Sequence, residues 1–322
     1  MQRLKRLRDS FVRESLDSRM RGTERYDRKL EDIFSVQDDV TKSVATALAV
    51  ELTEGDTARI SSRQTSSLEA YEYYLQAENL PKFSPESNEK GKELLKRALT
   101  VDPNFLAAIV ELAWKHTFDA RFGWTDDVAG AWARAEALNE QALAIDPESG
   151  QALHLAGYLS LYRDGDYERG VRIAGEAATL EPGNFQAHAG YGWLLLAAMR
   201  SEKAVNEFEH ALRLSPKRPL WVVDALGRGY EMLGRYDDAA SAFEEVIERG
   251  PSVGLTAGDA HAWLALLHAA QDREDQARAA MATALEVLPS LSATQYRQRI
   301  RMKDPSTLEQ RIAVWRELGL PE

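Results

Sequence analysis

The sequence predicts an all-α solenoid of about six helix–turn–helix bricks, closed by a C-terminal capping helix. Three observations predict it. Prolines recur at 103, 147, 182, 216, 251 and 289, with gaps of 44, 35, 34, 35 and 38 residues. A ladder of side chains stands twelve, eight and five residues before each of them. Alanine and leucine dominate the 322-residue chain, and its 20 glycines and 11 prolines punctuate at intervals instead of clustering.

Residues 1–65 are expected to hold a basic segment, an amphipathic helix and a linker. The opening stretch, "MQRLKRLRDSFVRESLDSRMRG", is basic but lacks the apolar middle of a secretory signal. Ile33, Val36, Val40, Val44, Leu48 and Leu52 then recur at helical spacing. The polar stretch "TEGDTARISSRQTSS" at 53–67 reads as a linker. An apolar stripe as long as the one on 33–52 needs cover. Ile33, Val36, Val40, Val44 and Leu48 are therefore expected to pack on the first repeat or on a second copy, giving a homodimer.

Residues 66–322 are expected to form the solenoid and its cap. The six ladders are Gly91/Leu95/Ala98, Ala135/Asn139/Ala142, Gly170/Ala174/Ala177, Ala204/Phe208/Ala211, Ala239/Phe243/Val246 and Ala277/Met281/Ala284. Small outer members let the two helices of a brick approach, a larger middle member fills the space between them, and proline stops the second helix. First helices are marked by Ala156-Gly157, Tyr191-Gly192, Leu226-Gly227 with Tyr230, and Leu264-Ala265. Their turns fall at Gly165-Asp166-Tyr167, Arg200-Ser201-Glu202, Gly234 to Tyr236 and Asp272-Arg273-Glu274. The second brick is the weakest match, because Asn139 replaces the bulky residue and "ARFGWTDDVA" lengthens its turn. After the last brick, residues 292–301 extend the solenoid by one helix. A helix from Pro305, with Leu308, Ile312, Trp315 and Leu318 on one face, caps it.

Composition excludes much chemistry. There are no cysteines, so disulfides, thiolate catalysis and cysteine metal sites are ruled out, and a reducing cytoplasmic setting fits. No run of about 18 apolar residues occurs, so no membrane-spanning helix is expected. A net charge of −11 makes general nucleic-acid binding a poor prospect, although Arg3, Lys5, Arg6, Arg8 and Arg13 form a local basic patch. The histidines at 116, 154, 188, 210, 261 and 268 follow no metal-ligand motif, and no nucleophile or phosphate-loop motif is present. No catalytic residue, metal or cofactor is expected.

The period near 34 and the six ladders in register resemble the tetratricopeptide repeat over about residues 66–290. The resemblance implies a right-handed superhelix whose first helices line a concave groove. In that frame the groove holds Trp114, Phe118, His154, Tyr158, Tyr162, Trp193, Trp221, Asp224, Arg228, Trp263 and Leu266. Aromatic and arginine anchors of this kind suit a peptide or helical segment. The positively charged clamp that some repeats of this family use for carboxylate tails is not matched, because His154, Tyr158 and Ala189 stand at its positions.

A second resemblance spans residues 23–322. "ERYDRKLEDIFSVQDDVTKSVATAL", "SLEAYEYYLQA", the insertion "RFGWTDDVAGAWARAEALNEQALAIDP" and the ending "KDPSTLEQRIAVWRELGLPE" are similar to bacterial signalling proteins. Those proteins join a class III nucleotide cyclase or a winged-helix domain to a TolB-like domain and then to tetratricopeptide repeats. The match implies a signalling scaffold; the alternative is the regulatory fragment of a nucleotide cyclase. Only 22 residues precede the matching part, and no cyclase carboxylates or winged helix can be located in them, so the sensor or adaptor end alone is expected.

Overall fold

The computed structural model describes residues 65–81, 84–215, 218–250 and 257–322. All of them fall in one compact unit, Ser62–Glu322. The amphipathic stretch at 33–52, with its candidate self-association residues, lies outside the described residues, as do Pro216 and Pro251. Fourteen helices and no strand occur among the described residues.

Twelve of the helices form six antiparallel pairs. The first two pairs are α1 (Leu68–Glu78) with α2 (Pro85–Val101), and α3 (Leu106–Phe122) with α4 (Val128–Ile145). The next two are α5 (Gly150–Tyr162) with α6 (Tyr167–Leu180), and α7 (Phe185–Ala197) with α8 (Ser201–Leu214). The last two are α9 (Leu220–Met232) with α10 (Tyr236–Arg249), and α11 (Ala257–Ala269) with α12 (Glu274–Val287). Two helices follow, α13 (Ala293–Arg299) and α14 (Pro305–Glu317). Polar caps set many of the starts. Ser67, Ser84, Asp127, Ser149, Asp166 and Asn184 each accept a hydrogen bond from a backbone N–H of their helix's first turn. Pro103, Pro147, Pro182 and Pro289 follow the ends of α2, α4, α6 and α12, as the spacing requires.

Each pair closes through complementary sizes. Phe208 and Phe243, both fully buried, lie where a Cβ added to Gly192 or Gly227 would come within 2.8 Å of the ring. In the third pair the middle residue is only Ala174, and the backbones themselves approach. A Cβ on Gly157 would sit 2.9 Å from the Gly170 carbonyl oxygen, and one on Gly170 2.8 Å from that of Gly157. Backbone cannot step aside as a side-chain tip can, so Gly157→Ala is expected to cost about 2 kcal/mol, the usual cost of overpacking. Urea unfolding checks this. A change under about 0.5 kcal/mol, typical of an uncrowded surface site, would show that the helices do not touch there.

The turn inside a pair demands a left-handed residue. Gly165 (φ 69°) and Gly234 (φ 71°) supply it in two pairs, while Met199 (φ 62°) and Asp272 (φ 57°) occupy the same place in two others.

Successive first helices touch one another: α3 with α5, α5 with α7, α7 with α9 and α9 with α11. They therefore form the inner wall of the solenoid. Leu308, Ile312 and Trp315 of α14 are buried, as expected of a cap, and α14 packs on α11. Residues 292–301 depart from expectation. Rather than adding another layer to the stack, α13 turns onto the inner wall and touches α3, four pairs back along the solenoid.

Candidate functional site

The inner wall is organised around a helix that is longer than its counterparts. α3 has 17 residues, whereas α5, α7, α9 and α11 have 13 each. The extra turn, which follows Phe118, ends at Gly123 in the left-handed conformation (φ 67°) and carries Arg121 and Phe122. Trp124, just beyond, stacks on Phe122 with ring centroids 4.9 Å apart.

Arg121 projects among aromatic rings. Its guanidinium lies 4.6 Å from the Tyr162 ring centroid and 5.3 Å from those of Phe122 and Trp193. Such a cage holds a cation through the ring quadrupoles. The rings brace each other. Tyr158 and Tyr162 stack at 4.2 Å, Trp114 meets Tyr158 edge-on at 4.8 Å, and Trp193 Nε1 donates to the Tyr162 hydroxyl at 3.0 Å. Arg121 Nη1 donates to the Tyr158 hydroxyl at 2.8 Å, and burial, the larger effect, raises the Tyr158 phenol above its ordinary value. Further along, Arg228 pairs with Asp224 at 2.6 Å and lies 5.0 Å from the Trp263 ring centroid. Burial raises the Asp224 carboxyl, while Arg228 opposes the rise.

The chain's own C-terminal segment meets this wall. Arg121 Nε and Nη2 donate to the Arg299 carbonyl at 3.0 and 2.8 Å. Arg299 donates to both carboxylate oxygens of Asp259, on α11, at 2.7 Å. The Tyr167 hydroxyl donates to the Met302 carbonyl at 3.0 Å, and the Lys303 N–H donates to the Ala197 carbonyl at 2.8 Å. Ile300 and Met302 pack half-buried against the main core. α14 then runs back. Arg311 pairs with Glu231 at 2.6 Å, and Trp315 Nε1 donates to the Ala262 carbonyl at 2.7 Å.

Of the residues expected in the groove, Trp114, Phe118, His154, Tyr158, Tyr162 and Trp193 cluster with Arg121. Asp224, Arg228 and Trp263 form a second cluster that Trp193 joins to the first. Trp263 is buried, stacked on Phe243 and met edge-on by Trp315. Leu266 is buried in the same core. Trp221 pairs with Phe185 and joins neither cluster through a ring contact. Arg121, Tyr167, Glu231 and Asp259 were not anticipated. The signal for Arg121 was there: it lies seven residues after Trp114 and three after Phe118, on one helical face.

Burial pushes His154 down to about 4, and burial followed by the nearby Lys92 does the same to His116. Unfolded histidine titrates near 6.5, so below that pH the unfolded chain binds more protons than the fold does. Stability is therefore expected to fall as pH drops from about 6.5 to about 4, by about 1 kcal/mol per pH unit for each histidine. Unfolding curves across that range test it, and the slope should flatten in a variant carrying His116→Gln and His154→Gln. Among the described residues no group of side chains could hold a metal ion, and no helix is long and apolar enough to cross a membrane.

Comparison with known proteins bears on the repeats first. A family model described as tetratricopeptide repeat matches residues 155–219 and 225–291. A putative adenylate cyclase of Rhizobium meliloti is 34% identical over 137 residues, 41% of this chain and 23% of that protein. The transcriptional regulator HilA of Salmonella typhimurium is 27% identical over 192 residues, 59% of this chain and 34% of that protein. The chain thus spans roughly a quarter to a third of the length of these curated relatives. Among solved structures, the type IV pilus biogenesis factor PilW aligns at a TM-score of 0.51 and 16% identity, covering 70% of this chain and 96% of that one. The APC/C hetero-tetramer Cut9–Hcn1 aligns at 0.53 and 16% identity, covering 72% of this chain and 46% of that one. At such identities the structural likeness concerns the fold.

Proposed function

This chain is a tetratricopeptide repeat protein, an architecture of protein-interaction scaffolds, and we propose that it binds a peptide or helical segment on its inner wall without catalysing a reaction. The observation that carries this is the seat already occupied by residues 299–303. There Arg121 and the Tyr167 hydroxyl take up two backbone carbonyls, and the Ala197 carbonyl takes up a backbone N–H. Groups that satisfy main-chain polar atoms at fixed spacing, flanked by aromatic anchors, are what a peptide site requires. The similarity to a protein named as an adenylate cyclase and to one named as a transcriptional regulator supports a bacterial, cytoplasmic signalling role for such binding. The cyclase similarity also favours a second reading, in which the repeats are the regulatory part of a nucleotide cyclase.

Peptides selected against the protein from a random library test the binding reading. They should lose binding on Trp114→Ala and Arg121→Ala and keep it on Arg172→Ala, at an exposed position of α6. Peptides indifferent to both inner-wall substitutions would contradict the proposal.

A further inference from the structure

We propose that the inner wall is built for a short segment in which basic and apolar residues alternate, and that residues 299–303 of the chain hold that place until a partner segment of the same chemistry displaces them. The proposal rests on the reading of the inner wall as a binding surface.

Charge complementarity is the first argument. The chain carries a net charge of −11, yet Arg297, Arg299, Arg301 and Lys303 fall within seven residues. The repeats supply acids for two of them, while Arg297 pairs with Glu309 and Glu322 of the C-terminal segment. Asp259 takes Arg299, and Glu168 takes Lys303 Nζ at 2.8 Å. Between these two ion pairs Arg121 fixes the Arg299 carbonyl, and Ile300 and Met302 meet the core. The seat therefore reads one basic side chain, two carbonyls, two apolar side chains and a second basic side chain.

The second argument is that this stretch is held apart from its anchors. Leu291 and Tyr296 are fully buried on one side of it, and Ile312, Trp315 and Leu320 are buried on the other. Residues 300–304 lie outside helices, and Arg301 and Lys303 are exposed. α13 has only seven residues, too few to hold a helix without its neighbours. The grip on 299–303 is one backbone N–H, hydrogen bonds to two carbonyls, the half-buried packing of Ile300 and Met302, the largely covered Arg299–Asp259 pair, and the Lys303–Glu168 pair, which is open to solvent and binds weakly. The stretch can leave the wall while α14 stays docked. A partner that offers the same groups gains the seat at the expense of that grip alone.

The test uses the full chain and a fluorescein-labelled peptide, YRQRIRMK, copied from residues 296–303, read by fluorescence anisotropy. Arg299→Ala loosens the chain's own plug by removing its pair with Asp259 but leaves the seat intact, so it should tighten peptide binding at least tenfold over the unaltered chain. Adding Asp259→Asn should erase that gain, and raising salt should weaken binding in step. A peptide with its second arginine, the counterpart of Arg299, changed to glutamate should not compete. Circular dichroism confirms that each variant keeps its helices.

No gain from Arg299→Ala, or a gain that survives Asp259→Asn, would overturn the basic seat and the plug. If neutral or acidic peptides bind instead, and lose binding on Arg121→Ala, this proposal fails while the inner wall remains a binding surface. If no peptide of any charge depends on Arg121, both readings fail.

Discussion

Trp315→Ala is expected to lower stability by about 4 kcal/mol, the cost of deleting a fully buried indole. The ring is held on three sides. It stacks on Tyr296 at 4.3 Å, meets Trp263 edge-on at 5.0 Å, and its Nε1 donates to the Ala262 carbonyl. It is the point at which α13, α14 and the last repeat lock together. In a repeat array each unit leans chiefly on its neighbours, so the loss is felt at the C-terminal end first. Trypsin should then cut the basic stretch at Arg297 to Lys303 under conditions in which the unaltered chain resists, while the N-terminal fragment ending in that stretch persists. A stability loss within about 0.5 kcal/mol, the range of ordinary surface substitutions, would mean that α14 is not docked as described.

Asp119→Ala is expected to cost about 3 kcal/mol, because it strips the partner from a buried cation. Asp119 is 5% exposed. Its carboxylate accepts from Asn88 Nδ2 at 2.7 Å and from Lys92 Nζ at 2.6 Å, across the junction of the first and second repeats. Lys92 keeps a second contact to Glu89, which lies open to solvent and compensates little. If the cost comes from the orphaned ammonium, then Lys92→Met added to Asp119→Ala should recover most of it. A double variant no more stable than the single one would place the cost elsewhere in the junction.

Local patterns made the repeats legible. The ladder Ala204/Phe208/Ala211 demands a glycine or other small residue opposite the phenylalanine, and Gly192 is there in the sequence and in the fold. Two turn residues were harder, because Met199 and Asp272 take a left-handed conformation that favours glycine and give no sign of it in a single sequence. The second repeat read as weak, and it is unusual in structure: Asn139 is buried where its counterparts are apolar, and the lengthened turn supplies the extra turn of α3.

The site was legible in part. Helical spacing places Trp114, Phe118, Tyr158, Tyr162 and Trp193 on first helices, and the fold gathers them. It could not show what they gather around. Arg121 and the carbonyl it binds are 178 residues apart in the chain, and no periodicity links them. Residues 292–301 have the length of one more helix, which suggested another layer of the stack. Arg299 finds an acid on the inner wall instead, Asp259, while Arg297 pairs with Glu309 and Glu322 of the C-terminal segment.

The seating of residues 299–303 on the inner wall is the claim on which the rest depends, and hydrogen exchange reads it directly. The last helical bond of α13 runs from the Ile300 N–H to the Tyr296 carbonyl, so residues 301–304 have no helix to protect their amides and protection there can come only from the wall. The Lys303 amide, bonded to the Ala197 carbonyl, should exchange far more slowly than that of the exposed neighbour Asp304, and Arg121→Ala should speed it. Exchange at Lys303 as fast as in the free peptide, unchanged by Arg121→Ala, would mean that the segment does not sit on the wall.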